Sequence, residues 1–211
     1  MDFKCGIFDM DGTLIDTMPM WRSLGQGVLR RRGLEPRPDF REAMKPLTMR
    51  EGCAYCKQAY DLPESTAEII EECFGVVRDF YRTQAAPLPG VPEFLAKMKA
   101  RGVKLYVATA TDRPLAEIAL QHTGLAKYFD GMLTCAEVGV GKQQPDIYEQ
   151  TLALSGCAKE DTIIFEDALH AIRTAKAANF RVAAIHDPAL ADAHAEIRRL
   201  ADYYVETYET L

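Results

Sequence analysis

The chain reads as an α/β protein, a doubly wound parallel sheet with a small helical domain inserted after its first strand. Three observations lead there. Short apolar runs alternate with helical patterns through the C-terminal two-thirds of the 211 residues, the rhythm of parallel strands joined by helical crossovers. Pro stands near the start of those helical patterns and Gly beyond their ends. The stretch 17–85 breaks the rhythm and contains no convincing strand.

The first apolar run is Lys4–Asp9, which predicts a strand buried on both faces. After it, apolar residues recur at helical spacing in Trp21–Leu29 and Ile69–Tyr81, with turn-like punctuation at Gly33–Pro38 and Leu62–Pro63. Gln84–Gly90, with Pro87 and Pro89, reads as the return hinge. The alternation then starts. Helical patterns cover Val91–Ala100, Pro114–His122 with Asp112 as its expected N-cap, Pro145–Leu154 and Leu169–Ala178. Strands are expected at Val103–Thr109, Gly131–Thr134, Thr162–Phe165, Arg181–Ile185 and Tyr203–Val205. The domain boundaries follow: 1–16 with 86–211 as the sheet domain, and 17–85 as the insert.

Hydrophobic residues make up 48% and charged residues 27%, enough to bury a core. A net charge of −6 argues against nucleic acid, whose phosphates favour basic faces. No apolar run approaches a membrane span, and no leader-like segment is visible, so no membrane partner and a cytoplasmic location are expected. The six cysteines are scattered, which predicts reduced thiols. A monomer or a homodimer is expected.

The chemistry collects at strand ends, where open parallel sheets bind ligands. The first strand ends in Asp9-Met10-Asp11-Gly12-Thr13-Leu14. In an extended chain Asp9 and Asp11 share a face. Two unit charges about 4 Å apart repel by roughly 4 kcal/mol at an effective dielectric near 20, and such proximity raises the pKa of one of them. A cation or a reaction would explain the cost. The second strand ends in Thr109-Ala110-Thr111-Asp112, Lys142 follows the third in Gly139-Val140-Gly141-Lys142, and the fourth ends in Glu166-Asp167. The Gly-x-Gly-Lys run is not a P-loop, since the spacing and the following Ser/Thr are missing. Glu166-Asp167 could alternatively cap the helix that starts near Leu169.

Asp9-x-Asp11-Gly12-Thr13, then Thr109, Lys142 and Glu166-Asp167, in this order, resemble the four motifs of the haloacid dehalogenase superfamily. The insert after the first motif resembles that superfamily's C1-type cap, as in its phosphatases and beta-phosphoglucomutase-like members. The resemblance implies a Rossmann-like core and an enzyme that hydrolyses small phosphorylated metabolites, a class that includes sugar phosphates, with Mg²⁺ as cofactor. It implies Asp9 as the nucleophile that forms an aspartyl-phosphate, Asp11 as general acid and base, and Thr109 as a donor to the phosphoryl group. Lys142 would balance charge. The amides of Met10, Asp11 and Ala110 would cradle phosphate. Asp9, Asp167 and the Asp11 carbonyl would hold the metal, with Glu166 as a direct or indirect partner. The dehalogenating branch has no second aspartate, so Asp11 points to phosphoryl transfer.

Two residues bear on a mutase alternative. Trp21 stands where the mutase branch has a cap histidine, whereas Arg50 is placed like the cap arginine that grips a second phosphate. A Schiff-base mechanism would need a cap lysine such as Lys45 or Lys57, and nothing else supports one. A receiver-like phosphate sensor would share Asp, Lys and Mg²⁺ but not the Asp-x-Asp spacing or the insert. Two departures are expected to tune the site rather than abolish it. Ala168 follows Asp167 where many relatives have Ser, and Asn179 replaces a Gly while tolerating a left-handed backbone. Cys53-x-x-Cys56 lacks a second pair at zinc spacing and reads as structural thiols.

Overall fold

The computed structural model describes residues 1–44 and 47–211; Lys45, one of the two lysines considered for a Schiff base, lies outside the described residues with Pro46. The six predicted strands are present as β1 (Cys5–Phe8), β2 (Lys104–Thr109), β3 (Gly131–Thr134), β4 (Thr162–Glu166), β5 (Arg181–Ile185) and β6 (Tyr203–Val205). They form one sheet in the order β3-β2-β1-β4-β5-β6, with every neighbouring pair parallel. The strand order reverses at β1, so the carboxyl end of β1 is the topological switch point. Among the described residues ten α-helices accompany the sheet: α1 (Met18–Arg30), α2 (Phe40–Met44), α3 (Met49–Ala59), α4 (Thr66–Thr83), α5 (Val91–Ala100), α6 (Arg113–His122), α7 (Cys135–Val138), α8 (Asp146–Ser155), α9 (Leu169–Ala177) and α10 (His194–Leu200). The chain divides into two compact units, Met1–Thr17 with Ala85–Leu211, and Met18–Gln84.

In the sheet unit, successive residues of β1 point to opposite faces, and each face is covered. Cys5 and Ile7 enter an apolar cluster with Tyr148 of α8, Ile172 of α9 and Ile197 of α10. On the other face Phe8 stacks on Phe165 with ring centroids 4.2 Å apart and meets Phe94 of α5 edge-on. This burial explains why the strands read as unbroken apolar runs. Asp112 occupies the N-cap position of α6, but its side chain makes no capping bond; its backbone carbonyl accepts from Leu115 and Ala116 instead. Asn179 does adopt the left-handed conformation, at φ 62°. The segments that leave and rejoin this unit run side by side, with Asp16 N donating to Ala86 O and Leu88 N to Leu14 O.

The helical unit holds α1 to α4. The helices expected over Trp21–Leu29 and Ile69–Tyr81 are present and longer. α2 and α3 were not foreseen, because α3 buries Gly52, Cys53 and Cys56 rather than a leucine stripe. Its start carries a local signature nonetheless. Thr48 and Glu51 form a capping box, as Ser65 and Glu68 do for α4. Arg32 ties α4 through Glu72 at 2.6 Å and reaches Glu64 at 2.9 Å. All six cysteines are free thiols; Cys53 Sγ lies 4.0 Å from Cys73 Sγ, across α3 and α4. No helix among the described residues is long and apolar enough to cross a membrane.

Core packing gives the first prediction. Ile7, fully buried on the central strand, should cost about 2–5 kcal/mol when cut to Ala. Leu154→Ala, at a position 59% exposed, should stay within about 0.5 kcal/mol of the parent. Urea unfolding of the two variants checks the contrast.

Candidate active site

The parallel register sets Phe8 of β1 beside Phe165 of β4, and Asp9 N donates to Phe165 O at 2.9 Å. The next residues along these two strands, Asp9 and Glu166, therefore emerge together at the switch point. β1 itself ends at Phe8. Met10–Ile15 forms a tight turn, closed by Leu14 N on Met10 O and Gly12 N on Ile15 O. Gly12 has φ 84°, a backbone state that side-chain-bearing residues rarely adopt. The two acids of the motif have different surroundings. Asp9 is buried among charged groups, whereas Asp11 is only half-buried and is held by hydroxyls.

Lys142 arrives from the loop between α7 and α8. A capping box of Thr134 and Glu137 starts α7, and Gly139 ends it in the left-handed conformation. Lys142 is itself 5% exposed, and its ammonium donates to Asp9 Oδ1 and, at 2.8 Å, to Glu166 Oε2. Burial opposes its charge, but Asp9 and Glu166 outweigh that and hold it protonated, well above the usual lysine range. The ring of Tyr148 lies 6.0 Å from the same ammonium.

The carboxylates show the opposite imbalance. Burial, then the Glu166 charge, push Asp9 up to about 7 against the pull of Lys142; Asp11 contributes less than Glu166. Burial and the neighbouring Asp167 push Glu166 up to about 7, against Lys142. Burial and Asp9 do the same to Asp167, also to about 7. One ammonium faces three buried acids, so the cluster lacks positive charge. Asp9, Glu166 and Asp167 each offer an oxygen within 4.8 Å of the others, the one such group among the described residues. That cluster of oxygens, short of positive charge, is of the kind that holds a hard divalent cation. Hard oxygen donors of this kind fit Mg²⁺ and not a soft metal. Glu166 and Asp167 do not cap α9; Ala168 holds that position without a side-chain bond.

Asp11 has a different setting. Thr17 Oγ1 donates to its Oδ1 and Thr111 Oγ1 to its Oδ2, both at 2.7 Å. Thr109 is buried, and its Oγ1 accepts from the Thr111 amide at 3.0 Å. Ala110 is exposed beside it, and the Met10 side chain is fully buried, leaving only its backbone for a ligand. Thr13, also fully buried, donates to Asp167 Oδ1 at 3.3 Å. Thus Asp9, Asp11, Thr109, Lys142, Glu166 and Asp167 converge on one sheet edge. Arg50 lies in the other unit, exposed in the first turn of α3, and Trp21 is half-buried on α1. Lys57, the second lysine considered for a Schiff base, donates to the carbonyls of Leu62 and Glu64 at 3.0 and 2.7 Å. The sequence reading gave no role to Thr17 or Thr13, and counted Thr111 only as a hydroxyl at a strand end. The signal available was a hydroxyl residue two to six positions from an acid, a common pattern with no geometry attached.

Residues 6–185 match the family model for haloacid dehalogenase-like hydrolases. The phosphorylated carbohydrates phosphatase of Thermotoga maritima is 30% identical over 172 residues, which cover 82% of this chain and 80% of that protein. The fructose-1-phosphate phosphatase of Escherichia coli is 30% identical over 175 residues, covering 82% and 90%. A crystal structure from Thermotoga maritima, described as a candidate beta-phosphoglucomutase, superposes with a TM-score of 0.85 at 28% identity and covers 98% of this chain and 95% of that one. The match thus spans both the strand ends that carry the acids and the insert between the first two strands. This chain belongs to the haloacid dehalogenase-like hydrolase family.

Proposed function

We propose that the protein is a Mg²⁺-dependent phosphatase of phosphorylated carbohydrates that works through an aspartyl-phosphate. The observation that carries this reading is the unequal treatment of the two motif aspartates. Asp9 sits against Lys142 in an acid cluster, and Asp11 is clamped through both oxygens by Thr17 and Thr111. The relatives named as phosphatases of phosphorylated carbohydrates and of fructose 1-phosphate supply the substrate class. Residues 1–16 and 86–211 would form the catalytic core, and 17–85 the cap that selects the substrate.

An oxygen of Asp9 attacks phosphorus while the bond from phosphorus to the sugar oxygen breaks. Asp11 gives its proton to that leaving oxygen. In the second half, Asp11 takes a proton from water, the water oxygen attacks phosphorus, and the Asp9–phosphorus bond breaks to release phosphate. Lys142 balances the charge that Asp9 and the phosphoryl group bring together. Thr109 and the amides of Met10, Asp11 and Ala110 hold the phosphoryl oxygens. Asp9, Asp167 and the Asp11 carbonyl would hold Mg²⁺, with Glu166 bound mainly to Lys142. Bound there, the ion supplies the positive charge that three acids and one lysine lack.

A second reading is a beta-phosphoglucomutase-like mutase, favoured by the likeness to the Thermotoga maritima structure described in those terms. Arg50 would then grip a second phosphate, while Trp21 stands where that branch has a histidine. A sugar bisphosphate activator and interconversion of sugar phosphates would identify the mutase; phosphate release alone identifies the phosphatase.

Turnover of fructose 1-phosphate and a panel of other sugar phosphates tests the assignment. Asp9→Asn should lower phosphate release by about 10³-fold or more, and retention of full turnover would remove the nucleophile. Asp11→Asn should slow release and accumulate a phosphorylated protein, seen as one added phosphoryl group in the intact mass. Lys142→Met should destabilise the fold by roughly 3–5 kcal/mol, since it leaves buried charge unpaired, and should cost about 10²-fold in turnover. Treatment with EDTA should abolish release, and added Mg²⁺ should restore it.

A further inference from the structure

We propose that Thr13 is a positioning residue for metal binding, fixing the Asp167 carboxylate so that its second oxygen faces the cation. The inference rests on the Mg²⁺ reading above and assigns a task to a side chain that this reading leaves idle. Thr13 is fully buried, and its hydroxyl donates to Asp167 Oδ1 at 3.3 Å. A buried hydroxyl needs a partner, and here the partner is an acid of the cluster rather than a neighbouring carbonyl. The contact joins residues 154 positions apart in sequence. It therefore couples the turn after β1 to the turn after β4, the two loops that carry the acid cluster.

The geometry separates the three acids. The Lys142 ammonium fixes both Asp9 and Glu166. Asp167 follows β4 in the loop before α9 and is 4% exposed. Beside its own backbone amide, the Thr13 hydroxyl is the side-chain donor to it. A hydroxyl on one carboxylate oxygen sets the plane of the group and leaves the other oxygen for a hard cation. Partners of this kind typically change metal affinity by about 10–100-fold. Gly12, at φ 84°, turns the chain just before Thr13, and that turn delivers this hydroxyl to Asp167.

Binding of Mg²⁺ by isothermal titration calorimetry, without substrate, tests the assignment. Thr13→Val keeps the shape and removes the donor, and its Mg²⁺ dissociation constant should rise by about 10-fold. Thr13→Ser keeps the donor and should restore binding to near the parent value. Thr13→Ala serves as a second donor-free variant if Val does not fold, with circular-dichroism melts checking each protein. Asp167→Asn is the reference and should bind Mg²⁺ far more weakly. If Asp167→Asn binds as the parent does, the metal reading itself fails. If Asp167→Asn loses binding while Thr13→Val retains parental affinity, the role of Thr13 is overturned. Equal losses in the Val and Ser variants would also overturn it, because the hydroxyl would then not be the cause.

Discussion

One ammonium group holds this site together. Lys142 is buried between Asp9 and Glu166, and taking each such ion out of water costs several kcal/mol unless it is paired and hydrogen-bonded. The sheet makes the pairing possible. Parallel register places Phe8 beside Phe165, so the residues that follow them come out adjacent. The loop after α7 needs only to drop a lysine between them. With Lys142 in place, Asp9 and Glu166 can be buried; with Asp167 added, the same cluster is short of positive charge. The Mg²⁺ of the proposed function would make up the shortage.

The two aspartates of the first motif sit in different surroundings. Alternation along a strand would have put both carboxylates on one face. The strand ends one residue before Asp9, and the two acids meet different partners: Lys142 for Asp9, Thr17 and Thr111 for Asp11. The repulsion anticipated between Asp9 and Asp11 is real but secondary; Glu166 burdens Asp9 more. Asp11 escapes the cluster and is met by two hydroxyls from opposite directions in the sequence, Thr17 and Thr111.

The sheet was legible because it is buried on both faces. Val103–Thr109 and Arg181–Ile185 are apolar enough that length and flanking signals define them, and Pro and Gly mark the helices between. The helical insert was legible as a whole and less so in detail. α3 packs with glycine and cysteines, which carry little periodic hydrophobic signal, and its Thr48–Glu51 capping box was the one local clue. The acids and Lys142 were visible because charged residues at strand ends are costly and ordered in a pattern. Thr17, Thr111 and Thr13 were not, since a threonine near a strand end is usually explained by β-propensity alone. Asp112 holds the N-cap position expected of it, through its backbone. Its position suited a cap, but the backbone carbonyl satisfied the helix and left the side chain without that task.

The segment from Asp9 to Thr17 binds these parts into one device. Asp9 reaches Lys142, Thr17 meets Asp11, and Thr13 reaches Asp167. Asp11 in turn is tied to the end of β2 through Thr111. A short stretch after the central strand thus contacts groups that follow β2, β3 and β4. The central position of β1 is what allows this, since a strand at the sheet edge would have one neighbour instead of two. Asp9, Asp11 and the Thr13–Asp167 contact therefore belong to one short segment, whose turn has a backbone conformation at Gly12 that suits glycine best. The Asp-x-Asp-Gly-Thr spacing reflects that geometry: one acid for Lys142, one for two hydroxyls, a glycine that turns the chain after them, and a hydroxyl that returns to Asp167.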